Sequence, residues 1–202
     1  MDLRETYNKI AKDWAEEHGG ITWSTPRMMQ FATFLKPGSF ILDVGCASGT
    51  KARELTALDM RVHGIDLSEE MITIAKQTSP HSTFEVMDIR DLRLIDSYDA
   101  ILAVAIFLHL PKTEVPGVVK QLWDKLKPGG HFYVAVKERR ADEPQEKIVE
   151  QNNYGYDYVR YYSFFTMAEL KGYFEALGAE IMMEERFPTG STVWLNIIVR
   201  KP

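Results

Sequence analysis

The chain has 202 residues, a formal net charge of −5, 45% hydrophobic and 26% charged residues, which suits one globular domain able to bury a full core. Its 24 Lys and Arg are outnumbered by 29 Asp and Glu, and the densest basic cluster, KERRADE, cancels its own charge; the broad cationic face of a nucleic-acid binder is therefore not expected. One cysteine, Cys46, excludes an intramolecular disulfide and a multi-cysteine metal site, and five histidines without ligand spacing predict no metal.

The opening MDLRETYNKIAKDW is polar and of mixed charge, unlike a signal peptide. Within residues 2–18, Tyr7, Ile10, Ala11, Trp14 and Ala15 recur at helical spacing and predict an amphipathic helix ended by the glycines at 19 and 20. A second helix is expected from Pro26, a favoured first-turn residue, to Leu35. Short apolar strands then alternate with helices: strand 40–44, helix 49–58, strand RVHGID, helix 68–78 and strand TFEVMD. Strand YDAILAV, helix 113–127 and strand HFYVAVK continue the pattern. It predicts βα units around a parallel sheet, joined by right-handed crossovers. The longest apolar run, around AILAVAIFLHL, is too short to span a bilayer as a helix.

After residue 138 the pattern changes to a polar, tyrosine-rich connection, NNYGYDYVRYYSFF. A helix at 166–177 follows, then two strands, AEIMMEERF and TVWLNIIVRK, which the short link PTG forces to pair antiparallel. The predicted fold is α/β, a doubly wound, mostly parallel seven-stranded sheet with one antiparallel strand in the C-terminal hairpin and helices on both faces. A cytoplasmic protein with no membrane partner is expected.

FILDVGCASGT, residues 40–50, places a carboxylate, Asp43, inside a strand that reads as buried and just before a turn of Gly45, Ala47 and Gly49. A strand feeding a glycine-rich turn and a helix brings backbone N–H groups close to a ligand. The dinucleotide fingerprint G-x-G-x-x-G is one residue longer than this turn, so a dinucleotide does not fit. A second acid does fit: Asp66 ends the next strand, where a carboxylate can accept two ribose hydroxyls.

Five segments in order resemble the class I methyltransferases that use S-adenosylmethionine (SAM), of the small single-domain kind. ILDVGCASGT resembles their first motif, GIDLSEEMI their ribose and adenine segment, and FEVMDIRDL their adenine-edge segment. YDAILAVAIFLHL and LKPGGHFYVAV resemble their fourth and fifth strands. The likeness covers nearly the whole chain and is strongest over 38–136. It implies SAM as cofactor, S-adenosylhomocysteine (SAH) as product, and cofactor contacts along the turn formed by Gly45, Cys46, Ala47 and Gly49. Asp43 is implied near the methionine end, Asp66 and Leu67 at the ribose, Met71 on the adenine face, Asp88 and Ile89 at the adenine edge, and the Ala103 carbonyl at the methionine amino group. Ala47 stands where the family usually has glycine, and a negative φ there would accommodate it. Structural roles are also open: Asp43 bracing the turn, Asp66 capping the next helix, Met71 filling the core, Cys46 as a small buried side chain.

The acceptor side is expected between the N-terminal helices and the segment after the fifth strand, with Tyr7, Trp14, Trp23, Tyr158 and Arg160 as candidate contacts. Aromatic walls exclude water, and a guanidinium can clamp a carboxylate or phosphate. His109, in FLHL, matches a histidine that the family often carries; it is a candidate base or orienter, or a packed side chain at the sheet edge. The chain divides into a helical cap (1–36), a cofactor core (37–137) and a substrate-side segment (138–202) of one domain. The expected activity is methylation of an O, N or S atom of a small cytoplasmic metabolite by a monomer or homodimer. A tRNA-nucleoside methyltransferase, loosely resembled by YNKIA and RYYSFF, and a non-catalytic SAM-binding partner protein remain alternatives.

Overall fold

The computed structural model describes residues 2–20, 24–94 and 97–202. Helix α1 (Leu3–His18) starts where the Asp2 carboxylate accepts from the Arg4 amide (2.8 Å) and stops at Gly19. Helix α2 (Thr25–Ala32) carries Pro26 in its first turn. It ends earlier than expected because the amides of Thr33 and Leu35 bond three residues back, to Gln30 and Ala32, and tighten the chain. Strand β1 (Phe40–Val44), α3 (Thr50–Thr56), β2 (Arg61–Asp66), α4 (Glu69–Thr78) and β3 (Thr83–Val86) follow. Next come β4 (Tyr98–Val104), α5 (Val115–Lys125) and β5 (Leu126–Lys137). The remaining elements are β6 (Glu146–Gln151), β7 (Tyr158–Ser163), α6 (Met167–Glu175), β8 (Glu180–Thr189) and β9 (Thr192–Arg200).

Seven strands form one sheet in the order β3-β2-β1-β4-β5-β9-β8. Strands β1 to β5 are mutually parallel, and β9 runs antiparallel to both β5 and β8. The expected architecture therefore holds, including the single reversed strand. Strands β1 and β4 read as almost unbroken apolar runs because helices cover both faces of the sheet. Strand β8 alternates exposed and half-buried residues, as suits an edge, and its Glu185 takes both forks of Arg27 from α2 (2.8 and 2.9 Å). Strand order reverses between β1 and β4, and the crevice at such a switch point lies beyond the carboxyl ends of the strands.

One element departs from expectation. The stretch read as a polar connection contains a two-stranded antiparallel sheet, β6 with β7, in which Val149 faces Arg160 and Ile148 faces Tyr161. Its inward side chains, Val149 and Tyr162, pack on the main core while Ile148 stays exposed, so the apolar signal is too sparse to stand out. The small sheet is tied down by Ser163 Oγ, which donates to the Leu110 carbonyl (2.6 Å), and by the Phe165 amide, which donates to the Lys137 carbonyl (2.9 Å). Among the described residues, no helix is long and apolar enough to cross a membrane.

Candidate active site

The carboxyl ends of β1, β2, β3, β4 and β5 open onto one cavity of about 330 Å³, roofed by α1 and β7. Its floor is the turn after β1. Gly45 and Gly49 adopt φ of +66° and +77°, the left-handed region open to glycine. A Cβ on Gly45 would meet Ile106 Cδ1 at 2.8 Å, and one on Gly49 would press on Ala75 of α4 at 3.0 Å. Ala47 also has a positive φ, +47°, so the condition set for it in the sequence is not met. The strain is offset by what the turn gains: the Ala47 amide donates to Asp66 Oδ2 (2.9 Å).

Asp66 stitches the floor together. Its other oxygen accepts from the Ser68 amide (3.0 Å), while the amides of Gly45 and Cys46 both donate to the Ile65 carbonyl. Burial raises its pKa, against the pull of these backbone donors and of Lys51. The cap of α4 is Ser68, whose hydroxyl accepts from the Met71 amide (3.1 Å), which leaves Asp66 free of that duty. Asp43 is fully buried, and neither of its carboxylate oxygens has a hydrogen-bond partner among the described residues. Burial pushes its pKa up to about 6, opposed by Lys51 and reinforced by Asp66. At the end of β3, Asp88 is gripped through both oxygens by Arg90 (2.6–3.1 Å), which holds its pKa below the usual carboxylate range.

The roof is built from distant pieces of chain. His109 closes a 3₁₀ turn, Phe107–His109, beyond β4. Its Nδ1 lies 2.8 Å from the Tyr161 carbonyl, which can only accept, so Nδ1 carries the proton. Nε2 is then the acceptor for the Tyr7 hydroxyl, 2.7 Å away. Burial, with added repulsion from Arg160 and Lys137, lowers the His109 pKa to about 3 despite the Tyr161 carbonyl, so the ring is neutral. Trp14 lines the cavity and stacks on His18, their centroids 4.2 Å apart. Outside, Thr6 Oγ1 donates to the Val159 carbonyl (3.0 Å), Tyr154 to Glu17 (2.6 Å) and Tyr156 to Asp13. The other side of α1 is held to α4: Arg4 and Asn8 both reach Glu69, and Ser68 Oγ donates to Asn8 (2.6 Å).

Comparison with known proteins puts this geometry in context. Residues 41–130 match the family model described as a methyltransferase domain. That match covers somewhat less than half of the chain. The chain is 33% identical over 94 residues to a dTDP-3-amino-3,4,6-trideoxy-alpha-D-glucopyranose N,N-dimethyltransferase of Streptomyces venezuelae, covering 46% of this chain and 40% of that one. It is 28% identical over 109 residues to a ubiquinone biosynthesis O-methyltransferase of Xanthomonas campestris, 51% of this chain and 45% of the relative. The matched region thus spans less than half the length of these curated relatives. A solved 1,6-didemethyltoxoflavin-N1-methyltransferase of Burkholderia thailandensis, with bound 1,6-didemethyltoxoflavin and SAH, superposes with a TM-score of 0.78 at 18% identity, covering 98% of this chain and 87% of that one. The magnesium protoporphyrin IX methyltransferase of Synechocystis, with bound SAH, gives 0.76 at 15% identity, over 99% and 98% of the two chains. At such identities the likeness is one of fold.

The cavity gathers Gly45, Ala47, Asp66, Leu67, Asp88 and Ile89 on its floor, and Tyr7, Trp14, His109 and Arg160 above. Six other candidates among the described residues do not line it. Asp43, Cys46, Met71 and Ala103 are buried beneath the surface, and Gly49 packs on α4. At the end of β4, Val104, Ala105 and Ile106 line the cavity in place of Ala103, and Ala105 has φ +59°. Tyr158 is buried and stacks on Tyr154, and its hydroxyl has no hydrogen-bond partner among the described residues. Trp23 lies outside the described residues. Sequence reasoning missed Arg90, Lys51, Lys137 and Trp194, all of which line the cavity. Arg90 sits inside a quoted motif, and its spacing of two from Asp88 is the signal that could have found it. Lys137 and Trp194 face each other across β5 and β9, and only strand register reveals that.

Proposed function

We propose that this chain is a SAM-dependent methyltransferase acting on an O, N or S atom of a small cytoplasmic metabolite. The observation that carries the proposal is a pair of buried acids, Asp66 in the floor and Asp43 just beneath the glycine turn. Asp43 has two orphaned acceptor oxygens beside a glycine turn with no Cβ in the way, and Asp66 stands at the end of the adjacent strand. Orphaned buried acceptors call for a donor-rich ligand, and a cation with an amino group and ribose hydroxyls fits that need. Asp43 would favour the ammonium end, Asp66 the ribose, and Asp88, steadied by Arg90, the adenine amine. When bound, SAM supplies a sulfonium methyl group that passes to a nucleophile as the C–S electron pair returns to sulfur, leaving SAH.

The roof then receives the acceptor. Tyr7 gives its proton to His109 Nε2 and faces the Arg160 guanidinium, which leaves one lone pair of its oxygen to accept from an acceptor hydroxyl or amine. With a pKa near 3, His109 is too weak a base to hold a proton near neutrality, and its part is to orient Tyr7. Orientation of the reacting atoms can by itself supply several kcal/mol of the barrier. Residues 1–36 and 138–202 serve as the acceptor-side cap on the cofactor core, 37–137, of one domain.

The test is methyl labelling. Purified protein is incubated with methyl-labelled SAM and a cell extract separated into small-molecule, RNA and protein fractions. Label in the small-molecule fraction is expected. Label confined to RNA would replace the metabolite with a nucleic-acid acceptor, and SAM binding without transfer to any fraction would make the chain a binding protein.

A further inference from the structure

The acceptor end of the cavity has a chemical bias that the methyltransferase reading does not require. Lys137, at the carboxyl end of β5, and Arg160, on β7, line both the main cavity and a second one of about 260 Å³ behind it, between the small sheet and the β8–β9 turn. Tyr162 is common to both cavities and lies between the two cations. Its ring centroid is 4.1 Å from Lys137 Nζ and 5.4 Å from the Arg160 guanidinium carbon. Arg160 Nε donates to Gln151 (2.5 Å), which sets the plane of the fork.

The second cavity is also lined by Arg140 and Lys147, giving four cations against two carboxylates, Glu138 and Glu143. Both acids are already engaged, Glu138 with Arg186 (2.6 Å) and Glu143 with Lys147. Among the described residues neither Lys137 nor Arg160 has an ion-pair partner. Two half-buried, unpaired cations facing one space, in a chain of net charge −5, are costly unless an anion joins them.

We propose that the acceptor molecule carries an oxyanion group, carboxylate or phosphate-type, held between Arg160 and Lys137 at the seam of the two cavities. The planar fork of Arg160 suits two oxygens of such a group, and Lys137 adds a point charge. Burial, together with the positive charges of Arg160 and Lys147, lowers the Lys137 pKa to about 8, and a bound anion would relieve both effects. The nucleophilic atom then lies toward the cofactor floor, and the anionic group on the side of Lys137 and the second cavity. This rests on the main cavity being the acceptor pocket of a methyltransferase.

Two experiments test it separately from that reading. In the first, the small-molecule extract is passed over an anion exchanger before methyl labelling. Acceptor activity is expected in the retained fraction, with Arg160→Gln and Lys137→Gln each raising its half-saturating amount about tenfold and leaving SAM affinity within about threefold. Acceptor activity confined to the flow-through would overturn the anion site while leaving the methyltransferase intact. The second needs no turnover: thermal unfolding of the SAH-saturated protein is followed against inorganic phosphate and, separately, acetate at fixed ionic strength. A saturable rise with at least one of them, lost in the double variant, is expected, and the effective ion tells phosphate from carboxylate chemistry. No saturable rise with either ion, or the same rise in the double variant, would overturn the proposal whatever the labelling shows.

Discussion

The floor and the roof of the cavity are built in opposite ways. On the floor, Asp66 reaches Ala47 and Ser68, 19 and 2 residues away, through their backbone amides, and the strands β1 and β2 that precede these residues are locked in the buried sheet. On the roof, Tyr7 meets His109 across 102 residues, Tyr156 meets Asp13 across 143, and most contacts run between side chains near the surface. A floor of short-range backbone bonds is fixed by the fold itself. A roof of long-range polar contacts can open without unfolding the sheet, as an acceptor entrance requires.

Several substitutions would break or sharpen this contrast. The largest effect is expected from Asp66→Ala, which leaves two floor amides without their acceptor. SAM affinity measured by calorimetry should fall at least about 100-fold, or about 2.7 kcal/mol. On the roof, Tyr7→Phe keeps the ring and deletes the hydroxyl. Turnover should fall about 10- to 100-fold while the SAM dissociation constant moves less than about threefold. Equal loss of SAM affinity in both variants would erase the distinction.

The two halves also differ in how pH acts on them. Asp43 has its pKa raised to about 6, so the folded state holds its proton longer than the unfolded chain does. Stability from this group is present below about pH 4 and is lost as pH rises through 6. His109 has its pKa lowered to about 3, so its contribution is complete above about pH 6.5 and is lost as pH falls toward 3. Between about pH 4 and 6 the two slopes, each about 1.4 kcal/mol per pH unit, oppose one another. In ligand-free protein, Asp43→Asn should therefore steepen the rise of stability with pH across that window, and His109→Asn should turn it into a fall. Chemical denaturation at several pH values reads both. The smallest effect is expected from Ala47→Gly, which removes the strain of a positive φ and should stabilise the chain by about 0.5–1 kcal/mol in the same measurement.

The same contrast explains what could be read from the sequence. The turn 45–49, Asp66 and Asp88 stand at or just beyond the ends of consecutive short strands, and their spacing along the chain reflects their spacing at the strand ends. The sheet, its order of elements and its reversed strand were legible for the same reason. The small sheet β6–β7 was not, because one of its faces is solvent-exposed and it pairs only with itself. Lys137 looked like part of a self-cancelling charge cluster. In the folded chain, though, Glu138 turns to Arg186 and leaves Lys137 facing the cavity. The partnership of Tyr7 and His109 is invisible before folding because nothing local links the first helix to the turn after β4. Positive φ at Ala47 was missed because the residue type argues against it, and only the hydrogen bond to Asp66 accounts for it.

The central claim, that the floor holds the cofactor and the roof receives the acceptor, is tested most directly by amide hydrogen exchange with and without SAH. Added SAH should slow exchange in segments 44–50, 65–72, 87–91 and 104–106, where the floor amides lie, and leave 146–163 nearly unchanged. No protection in the floor segments, or protection confined to 146–163, would contradict the account.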